Sequence, residues 1–211
     1  MPHTNTASGS TSARTQEQTV LIGCGILARE IRTLIRKNHW PLETVLLDSD
    51  LHNDYCSLEK ALASSLSEHQ TDRTVVFYGC CHPRIDEIVA GAATVRTQGQ
   101  NCIEMLLGRD VFTTELEQGA YFLVEPWARN WHRVIMHAFG TANPDVIRSI
   151  FNEDRRYLLA LRTPCTTDFT VDAEEAGRIA GLPVRWMDVS LDHLEHTLRA
   201  AFVLRSSRNA P

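Results

Sequence analysis

Thr19-Val20-Leu21-Ile22-Gly23-Cys24-Gly25-Ile26-Leu27-Ala28-Arg29-Glu30 decides the fold. A short apolar run ends in glycine and passes directly into a helix over Ile26 to Lys37. Leu27, Ile31, Leu34 and Ile35 keep the spacing of one buried helical face, with charged residues between them. Pro41 closes the unit. The same grammar recurs downstream. Thr44 to Leu47 reads as a second strand, Ser57 to Leu66 as a second helix, and Thr74 to Tyr78 as a third strand closed by Gly79. Near-continuous apolar strands alternating with helices predict an α/β fold: an open, mostly parallel sheet with helices on both faces, Rossmann-like and three-layered.

Further strands are expected at Ala93–Arg96, Ala120–Val124, Tyr157–Leu161 and Val184–Met187. Helices are expected at Asn101–Leu107, with Asn101 as N-cap, and at Trp127–Phe139, Pro144–Phe151, Asp172–Ala180 and Leu191–Leu204. No internal repeat or linker is visible. The economical organisation is a polar disordered tail over 1–18, one α/β domain over 19–204 and a frayed tail over 205–211.

Of the 211 residues, 43% are hydrophobic and 22% charged, an ordinary globular balance, and the net charge is -5. No basic stripe argues for nucleic acid. No apolar run approaches the roughly 20 residues of a bilayer span, and the N-terminal stretch lacks the apolar core of a secretory signal. A cytoplasmic protein without nucleic-acid or membrane partners is expected.

Six cysteines in such a chain need a reason, since a reducing compartment disfavours disulfides. Ligands of open parallel sheets bind beyond the carboxyl ends of the strands. Cys24 directly follows strand one, Cys80 and Cys81 follow strand three, and Cys102 opens the helix after the fourth strand. His52 lies just past strand two, and His82 is a further nitrogen donor. Thiols at helix N-termini are expected to have lowered pKa values, and thiolates favour zinc, iron–sulfur or other soft transition-metal centres. A metal site of Cys24, Cys80 and Cys102, completed by His52 or a non-protein group, is the leading reading. Cys81 is expected to face away from its neighbour. Gly23, Gly25 and Gly79 leave room for a bound group, and Glu30 and Glu104 stand near the thiols as candidate acid–base groups. Metal-free nucleophilic thiols and inert buried thiols are the alternatives, the latter fitting Cys165 and Cys56 best. A nicotinamide-dependent oxidoreductase is a second alternative, because Gly23-Cys24-Gly25 with Ala28 approximates a dinucleotide loop and Asp48 ends strand two. Trp127 and Trp131, four apart, could form a core face or an interface with a protein partner or a second copy.

The segments Cys24–Glu30, Leu51-His52-Asn53, Tyr78–Cys81, Asn101–Gly108 and Gly119 through Trp131 together resemble the domain of unknown function 1638 family, over roughly residues 19 to 200. Members often sit beside corrinoid-dependent methyltransferases acting on methylamines and betaines. The resemblance implies that Cys24, His52, Cys80 and Cys102 are the positions to watch. It also implies a link to one-carbon metabolism, as an enzyme or enzyme subunit acting on a small-molecule substrate, or as a non-catalytic accessory delivering metal or corrinoid. His82-Pro83 and Gln100-Asn101 depart from the family pattern and leave open a changed metal or substrate.

Overall fold

A computed structural model describes residues 19–69 and 73–208. The tail expected over 1–18 and the last three residues lie outside the described part. Among the described residues seven strands form two sheets, and every pairing is parallel. All seven strands predicted from apolar runs are present.

The first sheet has the order β2-β1-β3-β4, built from β1 (Thr19–Cys24), β2 (Leu42–Leu47), β3 (Thr74–Phe77) and β4 (Val95–Arg96). β1 lies between β2 and β3, with Cys24 opposite Leu47 and Gly23 opposite Phe77. The chain winds outward to β2 through α1 (Ala28–Asn38). It then crosses back over β1 to β3 through α2 (Tyr55–Glu68). The winding direction therefore reverses between β1 and β3, and this reversal opens a crevice at their carboxyl ends. The second sheet, β5-β6-β7, comprises β5 (Ala120–Leu123), β6 (Tyr157–Arg162) and β7 (Val184–Asp188).

α3 (Ile85–Gly91) joins β3 to β4, and α4 (Cys102–Leu107) and α5 (Arg109–Glu117) lead from the first sheet to the second. The segment expected as one helix over Trp127–Phe139 is two, α6 (Glu125–Arg129) and α7 (Trp131–Phe139). The backbone leaves helical geometry at Asn130, with φ -116° and ψ 24°. α8 (Pro144–Asp154) and α9 (Thr170–Ala180) follow, and α10 (Asp192–Arg208) ends the described chain.

Along β6 the core that each buried residue joins alternates with the period of two that a strand imposes. Tyr157, Leu159 and Leu161 join a core shared with the first sheet, whereas Leu158 and Ala160 pack against α7, α8 and α9. The shared core also takes Leu194, Leu198 and Ala201 of α10. That helix continues through Arg205, where the frayed tail is expected to begin, to Arg208. Arg205 is buried, and its Nη1 donates to the Ala93 carbonyl at 2.7 Å, which holds the last turns down. No helix of the described residues is long and apolar enough to cross a membrane.

Candidate functional site

The site is built where the winding reverses. Cys24 is the last residue of β1, and Gly25 starts a 3-10 turn leading into α1. β3 ends at Phe77, and Tyr78-Gly79-Cys80-Cys81 follows. At Gly79 this loop runs against the residues that precede α4. A Cβ on Gly79 would stand 2.6 Å from Asn101 Cα, closer than any real contact. The Cys80 N–H donates to the Gln100 carbonyl at 2.7 Å and locks the approach. Asn101 caps α4 as expected, its side chain accepting from the Ile103 and Glu104 N–H groups at 3.0 Å each. Glycine packing and cap together set Cys81 and Cys102 beside Cys24.

These three thiols line one cavity of about 280 Å³, with Tyr78, His52 and Trp127 among its other walls. The helix-terminus expectation of lowered thiol pKa values does not hold. Burial pushes Cys24 up to about 12, against the Ile26 N–H that favours its thiolate, and Cys81, Asp48 and Asp50 push it further up. Burial likewise raises Cys81, and raises Cys102 well above its ordinary value, with the Cys24 and Cys81 charges adding to the effect on Cys102. Without a cation all three are neutral thiols. Tyr78 sits among them, 2% exposed, with its hydroxyl buried and without a hydrogen-bond partner among the described residues. Burial and then the three neighbouring thiols raise its pKa.

Cys80 does not join the group. Of the adjacent pair it is the residue that faces away: its side chain is exposed, and Arg96 Nη2 lies 3.8 Å from its sulfur. The thiol set is therefore Cys24, Cys81 and Cys102. His52 does line the cavity. Its Nδ1 is engaged by the Ser49 carbonyl, which leaves Nε2 as the free ring nitrogen. His82 is buried elsewhere, with Nδ1 accepting from the Arg84 N–H at 3.0 Å and Nε2 3.6 Å from Glu59. Among the described residues, no three His, Cys, Asp or Glu side chains already stand grouped as a metal cage.

The two carboxylates predicted as acid–base groups lie outside the cavity lining. Glu30 is buried and accepts from Thr163 Oγ1 at 2.7 Å, tying α1 to the loop after β6. Glu104 accepts from the Gln100 N–H at 2.8 Å and completes the α4 cap. Gly23 and Gly25 have packing reasons. A Cβ would meet Phe77 Cβ at 2.6 Å in the first case and the Leu47 carbonyl oxygen at 2.8 Å in the second. Asp48, the acid of the dinucleotide alternative, accepts from the Asp50 N–H at 3.0 Å and caps a 3-10 turn. Cys56 is exposed on α2, and Cys165 donates to Thr33 Oγ1 at 3.3 Å, away from the cavity lining. Trp131 is buried between Tyr121 and Phe151, so the Trp127–Trp131 pair presents no joint exposed face.

Tyr78 and Arg155 are among the lining residues that the sequence reading did not single out. Tyr78 was visible as a polar-tipped residue closing an apolar strand. Arg155 comes from the far half of the chain, and no local pattern points to it.

No curated protein and no solved structure matches the chain. A family model described as "Protein of unknown function (DUF1638)" matches residues 46–198, a stretch that holds His52, Tyr78, Cys81 and Cys102 but begins after Cys24. The chain belongs to the DUF1638 family.

Proposed function

We propose that this protein is a metalloenzyme or enzyme subunit in which Cys24, Cys81 and Cys102 present thiolates to a single soft transition-metal centre, zinc or an iron–sulfur cluster, at which a small substrate reacts. One observation carries the reading: three thiols and the orphaned hydroxyl of Tyr78 converge on one cavity at the winding reversal of a parallel sheet. An unpartnered buried hydroxyl costs about 1–3 kcal/mol, so its retention points to a ligand that satisfies it.

The chemistry of the donors, three soft thiols in one lining, suits such a group, which would draw together side chains that do not stand as a preformed cage among the described residues. Each thiolate would raise the cost of the next in this buried place, and a cation reverses that penalty. A bare nucleophilic cysteine gains nothing from the arrangement, because burial and mutual repulsion favour the unreactive thiol. Three thiolates would hold such a metal and leave room for a further, non-protein ligand, the pattern of catalytic rather than closed structural sites. This favours an enzyme over a purely structural or accessory role. Bound there, the metal would supply Lewis acidity. The chain's own residues would supply the rest: the unpartnered Tyr78 hydroxyl would donate to a group bound in the cavity, and His52 Nε2 would accept a proton from a substrate there.

Metal analysis and an absorption spectrum of anaerobically purified protein test the reading. About one zinc per chain without colour, or a visible charge-transfer band from a cluster, is the expected outcome. Protein without metal after anaerobic purification, which also takes up neither zinc nor iron and sulfide on reconstitution, sinks it.

A further inference from the structure

We infer that the cavity selects a small organic monocarboxylate, held at its charged end by Arg155 with its body directed along aromatic walls toward the thiols. The reacting end of this pose rests on the function proposed above; the recognition by Arg155 does not.

The cavity joins two edges that topology sets apart. Its thiols belong to the carboxyl edge of the first sheet. Ala120 opens β5, and Arg155 stands two residues before the start of β6, so both belong to the amino edge of the second. The two tyrosines of the lining report on these two ends. Tyr78 feels the charges of Cys24, Cys81 and Cys102, whereas Arg155 is the charge that acts on Tyr121.

Between the ends the walls are apolar, formed by Phe77, Phe112, Phe122 and Trp127. Arg155 is the one arginine or lysine in the lining among the described residues. Its commitments are slack. Nη1 reaches the Ala120 carbonyl at 3.4 Å, and Nη2 lies 3.4 Å from the carboxylate of Asp154, which is itself largely exposed. A guanidinium has five donors in a planar fork, and these two long contacts leave most of that capacity open. A carboxylate matches the fork with two parallel, charge-assisted bonds. A cationic ligand would meet repulsion. A phosphate dianion would call for a second cation or a backbone nest, and the lining holds no other arginine or lysine. The volume, about 280 Å³, falls just below the roughly 300–1,000 Å³ typical of ligand sites and limits the body to a small aromatic or branched aliphatic group.

The test is calorimetric titration of the full chain, metal-depleted and zinc-loaded, with benzoate, phenylacetate and isovalerate, each beside its primary amide. At least one acid is expected to bind about tenfold more tightly than its amide, in both metal states. Arg155→Gln should bring that ratio below about threefold, and Arg155→Lys should restore part of it. Unchanged circular dichroism and thermal midpoint in both variants establish that the fold survives. Equal binding of acid and amide, no binding of any probe by folded protein, or a preference that survives Arg155→Gln overturns the inference. A preference that appears only with zinc and ignores Arg155 also overturns it, while leaving the metal reading intact. Selectivity that depends on Arg155 in a protein that takes up no metal sustains the inference and removes the metal.

Discussion

Cys80 and Cys81 are joined by one peptide bond and lie in different surroundings. Cys81 faces the cavity with Cys24 and Cys102, while Cys80 is exposed beside Arg96. Cys81→Ser, like Cys24→Ser and Cys102→Ser, should lower bound metal to below about a tenth of the wild-type content, because a hydroxyl is a poor soft-metal ligand. Cys80→Ser should keep the full complement. Equal loss from Cys80→Ser and Cys81→Ser would separate the metal from this cavity. A second residue, Glu125, works through charge. Burial alone would raise its carboxyl, but donors from Thr167, Arg29 and Arg129 outweigh burial and hold it at about 2. Thr167 N–H and Arg129 Nε approach at 2.9 and 3.0 Å, and Arg29 completes the set. The folded value lies below the unfolded value of about 4.3. The contribution is therefore complete above that value and is lost as pH falls toward 2. Glu125→Gln should cost on the order of 2–3 kcal/mol at neutral pH, and the gap to wild type should close between about pH 5 and pH 2. Urea midpoints of both proteins across that range check the sign; a gap that stays constant with pH assigns the loss to packing instead.

At the scale of elements, the decisive contact is the loop after β3 against the start of α4. Gly79→Ala forces a Cβ to within 2.6 Å of Asn101 Cα, backbone that cannot swing aside as a side chain could. A loss of about 1–3 kcal/mol is expected from overpacking. Metal uptake should weaken with it, because the same displacement parts Cys81 from Cys102. Chemical denaturation and zinc affinity of the one variant measure both, and a destabilised protein with unaltered affinity would show that the loop does not set the thiol spacing. The strands of the first sheet's centre were legible because β1 and β3 are apolar runs that lead directly into Gly-containing turns. The Asn101 cap was legible from its side chain alone. α3 and α5 went unseen, since α5 buries only Phe112 and so carries no stripe to detect. Which of two adjacent cysteines turns inward depends on how the loop after β3 docks on Gln100, a contact between segments about twenty residues apart. Local spacing does not encode it. Burial of the thiols is likewise a property of the assembled core, which is why helix-terminus reasoning gave the wrong direction for Cys24 and Cys102.

At the scale of the molecule, strand pairing was beyond the sequence: seven parallel-type strands are as compatible with one sheet as with two, and only edge contacts decide. What unites the two sheets is legible in hindsight along α10. Leu191, Leu194, Leu198, Ala201 and Arg205 recur every three or four residues, and all five are buried. This helix follows the last strand of the second sheet yet packs on β3, β4 and α4 of the first. Glu195 adds an ion pair to Lys37 of α1 at 3.0 Å, and Phe202 meets Trp40 edge-on at 5.2 Å. The first sheet is thus covered by a helix that follows the second sheet in sequence, and it should not be stable without that helix. Leu198 has no exposed surface, so Leu198→Ala should cost about 2–5 kcal/mol by leaving a cavity against the first sheet. Cooperativity makes the more telling outcome. Helicity by far-ultraviolet circular dichroism samples both halves, while Trp40 reports on the α10 seam and Trp186, packed on Phe169 at 5.0 Å, reports on the second sheet alone. In single-tryptophan variants carrying Leu198→Ala, both emission signals and the helicity should move to the same lower urea midpoint. If the Trp186 signal keeps the wild-type midpoint while the Trp40 signal falls, the sheets unfold independently and α10 is a cover, not a bond between them.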